Sequence, residues 1–245
     1  MKSIFTESAQ RRAAQSLPEA TRFWHHLSDY YVAHTSIHDL RTRAISSTFV
    51  RQAGITASDH VLDAGCGHLR ISLALQRLLP GIELTGVDLT PELLEAGRQL
   101  REELGHRPFP LVQADLANLP FDDHSFDHIV SARVFQYIPD PHQALRELQR
   151  VLKPGGRLIF SVPNQLNPIK RLRYKGRLHP PSQLGQWLHE THFQHISTGS
   201  ACFVPGQLRR SWTSSWIGAE MIAELPALGQ LGGNAWAAGT KPPLR

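Results

Sequence analysis

The sequence is short of cysteine: Cys66 and Cys202 are its two thiols among 245 residues. Two cysteines so far apart exclude a disulfide framework and lack the paired spacing of a structural zinc site, so a reducing compartment is expected. Long apolar runs are missing too. No stretch approaches the roughly 20 residues that a membrane-spanning helix needs, and the opening MKSIFTESAQRRAAQ has no signal-peptide core. Arg11, Arg12 and nearby serines have a transit-peptide flavour that Glu7 and Glu19 oppose, so the expected location is cytoplasmic. Internal repeats and low-complexity segments are absent. Aromatic residues are 8% and charged residues 19%, yet the 41% hydrophobic content excludes a disordered, collagenous or fibrous chain. The length fits one large α/β domain or two small ones.

The net charge of +5 is unevenly placed, because residues 161–245 hold nine basic side chains against three acidic ones. Five of the nine form one cluster, Lys170, Arg171, Arg173, Lys175 and Arg177, interleaved with Leu172 and Tyr174. Such a cluster can meet an anionic substrate, an anionic membrane surface or nucleic acid, or it can be a solvated loop.

From residue 60 onward, apolar runs of strand length alternate with stretches of helical period, which is the pattern of βαβ units. Strands are expected at His60–Ala64, Ile82–Asp88, Phe109–Ala114, Phe126–Ala132 and Arg157–Pro163, and helices at Leu69–Leu79, Pro91–Leu104 and Pro139–Leu152. Lys153-Pro154-Gly155-Gly156 should stop the third helix. A basic loop, a helix at Ser182–His189 and strands at Phe193–Val204 and Ala235–Gly239 follow, the late strands reading as an antiparallel edge. Before the first strand, Asp39–Gln52 reads as helix. The expected fold is therefore α/β, with a doubly wound, mainly parallel, Rossmann-like sheet. One structural unit is expected: a helical cap over residues 1–55, then the domain from 56 to 245 with a basic insertion around 164–190.

The most informative stretch is Val61-Leu-Asp63-Ala-Gly65-Cys-Gly67-His68-Leu69-Arg70, a strand that enters a glycine turn and opens a helix. Glycines there let a ligand approach the backbone. The dinucleotide fingerprint fails because Arg70 stands where its third glycine belongs, and a P-loop fails because no Gly-Lys-Ser/Thr follows. Asp63 would repel a pyrophosphate and favours a cationic or zwitterionic ligand. Asp88 ends the second strand, where an acidic residue about 20 positions past the turn accepts bonds from ribose hydroxyls. Asp115 and Leu116 end the third, offering a carboxylate to an exocyclic amine and an apolar wall to a ring. Together these residues describe an adenosine with a zwitterionic tail.

The stretch Val61 to Asn164 resembles the class I S-adenosylmethionine-dependent methyltransferases, in particular the group of ubiquinone/menaquinone C-methyltransferases. The likeness rests on Asp63-Ala-Gly65-Cys-Gly67, Gly86-Val-Asp88, the run from Asp115 through Pro120 to Asp127, and Leu152-Lys-Pro154-Gly155-Gly156. The resemblance implies a seven-stranded sheet and S-adenosylmethionine as co-substrate. It implies cofactor contacts from Asp63, Gly65, Gly67, Asp88, Leu89, Asp115, Leu116 and Ser131. One departure is Leu69, where the family usually has a third glycine. If its side chain faced the pocket it would crowd the cofactor; otherwise it packs on the sheet.

Methyl transfer is an in-line displacement on an activated carbon, so positioning carries much of the catalysis and no resident metal is expected. A base matters where the acceptor must lose a proton. Candidates are His34 and Tyr31, with His25, His26, His38 and Tyr30 nearby, and Gln136 and Tyr137 after the fourth strand, with Arg133 as a further lining residue. The same histidines also read as ordinary surface residues of amphipathic helices. No Asn-Pro-Pro-Tyr or Asp-Pro-Pro-Tyr follows that strand, which disfavours nucleic-acid methylation. The expected function is methyl transfer to a small-molecule, lipid-like or quinone-like acceptor, with contact to an anionic membrane through 170–177. The alternatives are a cofactor-binding scaffold without catalysis and an RNA methyltransferase.

Overall fold

The computed structural model describes residues 40–174, 176–201 and 230–243. His34, Tyr31 and their neighbours, Lys175 and Cys202 lie outside the described residues. The elements in chain order are α1 (Leu40–Ala53), β1 (His60–Ala64), α2 (Arg70–Leu78), β2 (Glu83–Asp88), α3 (Pro91–Glu103), β3 (Leu111–Gln113) and β4 (Phe126–Ala132). A 3₁₀ turn at Phe135–Tyr137 leads to α4 (Pro141–Val151), β5 (Leu152–Pro163), α5 (Pro168–Arg173), α6 (Pro181–Glu190), β6 (Gln194–Ala201) and β7 (Asn234–Thr240).

The seven strands form one sheet in the order β3-β2-β1-β4-β5-β7-β6. Pairings from β3 to β5 are parallel, and β7 joins β5 and β6 antiparallel, as the late strands without crossover helices foretold. Both faces are covered. Leu62, Ile129, Leu158 and Phe160 pack with Leu145 and Leu148 of α4 and Leu184 and Leu188 of α6. Val61, Val130 and Ile159 pack on the other face with Ile45 and Phe49 of α1 and Ile71 and Leu75 of α2. Burial on both sides explains why these strands read as apolar runs rather than alternating ones. The segment 40–53 of the expected cap is thus part of the sheet's own helical layer.

Most boundaries move by one or two residues, and three differences from the sequence expectation have a clear physical reason. The edge strand β3 covers only Leu111–Gln113, because its pairing with β2 is limited to Gly86, Val87 and Asp88. Strand β5 begins at Leu152, so Lys153-Pro154-Gly155-Gly156 ends the helix by entering the sheet. The register against β4 shifts between Phe126 and His128 to absorb the extra residues, as at a bulge. The basic loop opens as helix α5: Pro168 takes its first position and the Asn167 side chain accepts a bond from the Lys170 amide at 2.9 Å.

Candidate functional site

Order reversal between β1 and β4 leaves a crevice beyond the carboxyl ends of the strands, the place where open α/β sheets bind ligands. A pocket lies there. Asp63, Gly65, Gly67, Asp88, Leu89, Asp115 and Leu116 all line it, together with Arg133 and Tyr137. Four successive parallel strand ends therefore supply one concave surface.

Strand β2 fixes the loop after β1. The Gly65 and Cys66 amides donate to the Val87 carbonyl at 2.7 and 2.9 Å, and the Gly67 amide donates to Asp88 Oδ2 at 2.8 Å. Asp88 Oδ1 accepts from the Thr90 amide at 2.9 Å. Both carboxylate oxygens thus hold backbone, and burial still pushes the carboxyl above its ordinary range. Gly65 has φ +77°, and a Cβ there would stand 2.3 Å from Val134 Cγ2, so the packing of the β4 loop by itself demands glycine. At Gly67, with φ +51°, a Cβ would meet nothing nearer than Leu93 Cδ1 at 3.9 Å. The space in front of Gly67 is open.

Asp63 is 1% exposed, and its Oδ2 accepts a short bond from Ser72 Oγ at 2.5 Å. Desolvation raises its pKa to about 6, against the pull of the Ser72 bonds and of the Arg70 charge. A carboxyl so placed gains from a cation beside it. Arg70, the first residue of α2, lines the pocket and donates to the Thr42 hydroxyl at 2.9 Å, which draws the start of α1 toward the rim. Cys66 is buried next to the two acids, and burial raises its thiol pKa.

Leu69 does not enter the pocket. It sits before α2 in the left-handed region, φ 66° and ψ 19°, fully buried in a cluster with Leu73 and Leu94. Its Cγ lies 2.6 Å from where a Cβ on Gly97 would be, so α3 receives it against a glycine. The glycine that the resemblance implies at this position would suit a positive φ. Here a leucine accepts that conformation and repacks the α2–α3 interface.

On the β4 side of the pocket, Arg133 also has a positive φ of 62°, with its amide bound to the Ser161 carbonyl at 2.7 Å and its Nε buried without a hydrogen-bond partner. Tyr137 lines the pocket, and its hydroxyl is 3.4 Å from that of Tyr174. Burial and the Tyr137 hydroxyl push Tyr174 up to about 12. Two named residues stand elsewhere. Ser131 lies one step back inside β4, fully buried and away from the lining, and Gln136 is 2% exposed with Nε2 donating to the Arg133 carbonyl at 2.7 Å. The turn at 135–137 points Gln136 inward and Tyr137 into the pocket. Lining residues that sequence reasoning left out include His68, Arg70, Leu93, Val134 and Ile138. Arg70 carried the clearest signal, as the first residue of a helix opened by a glycine turn.

Among the described residues, no three His, Cys, Asp or Glu side chains gather as a metal site, and no helix is long and apolar enough to cross a membrane.

Residues 62–160 match the family described as a methyltransferase domain. A demethylmenaquinone methyltransferase of Staphylococcus epidermidis is 36% identical over 129 residues, 52% of this chain and 51% of that protein. The chain spans about half the length of the curated relatives it matches. Among solved structures, the [4+2]-cyclase SpnF has a TM-score of 0.68 at 19% identity, covering 93% of this chain and 98% of that one. A methyltransferase of Thermotoga maritima has a TM-score of 0.60 at 19% identity, over 90% and 97%. The resemblance to class I S-adenosylmethionine-dependent methyltransferases read from the sequence is borne out, as is the fold.

Proposed function

We propose that this protein is an S-adenosylmethionine-dependent methyltransferase whose acceptor is a quinone-like, lipid-like small molecule. The observation that carries the reading is the convergence of Asp63, Asp88 and Asp115-Leu116 from three strand ends on one pocket. The fold by itself does not select a reaction, since one of its near structural neighbours is a cyclase. Chemistry has to come from the site.

The residues present suit the cofactor. Asp63 is a desolvated carboxyl lacking a full counter-charge, fit for an ammonium. Asp88 keeps lone pairs for ribose hydroxyls while its two amide bonds hold it rigid. Asp115 Oδ1 is fixed by the Ala117 amide at 2.9 Å, and buried Leu116 supplies an apolar wall for the adenine. Bound there, the sulfonium supplies an activated methyl group. The protein's part is then to orient the acceptor and exclude water. Val134 and Ile138 give the acceptor side an apolar wall, and Arg133 and Tyr137 give it polar ends. Tyr137, with His34 and Tyr31 from the N-terminal segment, is the proposed source of a proton-accepting group.

The quinone-like acceptor is supported by the curated relatives, which are demethylmenaquinone methyltransferases matched over about half their length. The decisive experiment is transfer of labelled methyl from S-adenosylmethionine to reduced short-chain demethylmenaquinone by the purified full chain. Product at the rate of a dedicated enzyme supports the reading. Cofactor binding without transfer to any quinol refutes the acceptor, and no binding of S-adenosylhomocysteine refutes the whole reading.

A further inference from the structure

Six large apolar side chains are exposed among the described residues, and four of them, Leu166, Ile169, Leu172 and Leu231, fall on one stretch of surface. Leu172 is the extreme, at 85% exposed. Asn167 organises the stretch: its side-chain oxygen caps α5 through the Lys170 amide, and its Nδ2 donates to the Leu231 carbonyl at 2.7 Å. The turn carrying Leu231 is thereby pinned beside the start of the helix. Asn164 strengthens that join, donating to the Gln230 and Gly232 carbonyls at 2.8 and 2.7 Å. Ile169 and Leu172 are three residues apart on α5, a spacing that puts them on one helical side.

Along the chain around Leu166, Ile169 and Leu172 the charges have one sign. Lys170 stands within the helix, Arg171 and Arg177 are exposed, and no acidic residue occurs anywhere between Glu147 and Glu190. A merely solvated loop gives no reason to hold four aliphatic side chains in water. A site for single-stranded nucleic acid stacks bases on exposed aromatic rings. The one aromatic ring in this segment, Tyr174, is half-buried, with Lys170 Nζ 5.2 Å from its ring centre and Tyr137 at its hydroxyl. Protruding aliphatic side chains among cations are the chemistry of an interfacial helix on anionic lipid, apolar tips entering the acyl boundary and cations meeting head groups.

We propose that Leu166, Ile169, Leu172 and Leu231, with Lys170, Arg171 and Arg177, dock this protein on an anionic phospholipid surface. The docking surface adjoins the pocket, because Tyr174 follows α5 directly and reaches Tyr137 in the pocket wall. A docked protein therefore holds its pocket mouth beside the bilayer, where a lipid-like acceptor resides. That purpose rests on the proposed function; the docking itself does not.

The test is sedimentation of the full chain with vesicles of phosphatidylglycerol and phosphatidylcholine, and with phosphatidylcholine alone. Binding is expected to the anionic vesicles, at least about tenfold over neutral ones, and to weaken as salt rises. The triple variant Lys170→Gln, Arg171→Gln, Arg177→Gln should lose about fivefold per cation. Ile169→Ser with Leu172→Ser should lose about tenfold or more even with all cations kept. S-adenosylhomocysteine affinity, measured in parallel, should stay within about twofold in both variants. Equal binding to both vesicle types, or wild-type binding by either variant, overturns the proposal. So does salt-sensitive binding of mixed-sequence RNA through these cations without vesicle binding. If vesicles bind but S-adenosylhomocysteine does not, the docking surface stands and the methyltransferase reading falls.

Discussion

With Asp63 as the proposed partner of the cofactor's ammonium, cofactor affinity should depend on pH. Burial disfavours the charged form of the Asp63 carboxyl and pushes the pKa up from 3.8 to about 6. At about 1.36 kcal/mol per pH unit, that displacement is about 3 kcal/mol against the ionised form. The folded chain keeps this proton where the unfolded chain has lost it. Its stabilising contribution is therefore complete below pH 3.8 and is lost as pH rises through 6. An ammonium bound beside Asp63 reverses the preference, since an opposite charge favours the ionised carboxylate. Binding then expels the proton.

S-adenosylhomocysteine suits the assay, because its own amine and carboxylate do not titrate in this range. With a carboxyl at about 6 in the free protein, its affinity should rise about tenfold between pH 5 and pH 7 and level off above. Calorimetry in buffers of different ionisation enthalpy should also show proton release at the acid end. Asp63→Asn should bind more weakly at pH 7 and retain less than half of the slope, Asp88 supplying the remainder because its carboxyl is raised as well. A wild-type affinity that is flat from pH 5 to 7 refutes the reasoning. A full slope surviving in Asp63→Asn also does.

Three further outcomes follow from other contacts. Asp88→Ala should weaken S-adenosylhomocysteine by roughly 10- to 150-fold, from about 1.5–3 kcal/mol of charge-assisted bonding; a loss below threefold in calorimetry would place the ribose elsewhere. Leu69→Gly relieves about 1–2 kcal/mol of left-handed strain but vacates a fully buried site worth about 2–5 kcal/mol, so urea unfolding should show net destabilisation while cofactor affinity holds within about twofold. Arg150 donates to Glu147, Asp123 and the Leu119 and Phe121 carbonyls, tying down the loop that follows Asp115 and Leu116. Arg150→Ala should cost about 2–3 kcal/mol and lower Tm by about 4–12 °C, and an unchanged Tm would show that the loop is held otherwise.

The sheet was legible in the sequence because strands buried on both faces are mostly apolar, and the candidate cofactor site because the residues proposed for it stand at strand ends with fixed spacing. What stayed hidden depends on tertiary context. Nothing local marks Leu69 as left-handed; the reason is Gly97, 28 residues later, which makes room for it on α3. Helix α5 has a local signal in Asn167-Pro168, but the density of charge after it is equally the pattern of a solvated loop. Gln136 and Tyr137 are adjacent and polar, and only the 3₁₀ turn decides that Tyr137 faces the pocket and Gln136 the interior.

Gly65 shows why the two halves of the site should not be treated as separate modules. It looks like a residue kept small for the cofactor, yet its missing Cβ is needed first by Val134, which belongs to the loop after β4 that is proposed to face the acceptor. Any side chain at 65 would push Val134 outward and, with it, Arg133 and the turn that carries Tyr137. Gly65→Ala is therefore expected to disturb acceptor turnover as much as cofactor affinity. Gly67→Ala, whose Cβ would meet no protein atom closer than Leu93 Cδ1 at 3.9 Å, is the substitution that reports on the proposed cofactor loop, with a cost set by its positive φ and by a bound cofactor. The contrast between these two neighbours separates a glycine required by packing from one required by the ligand.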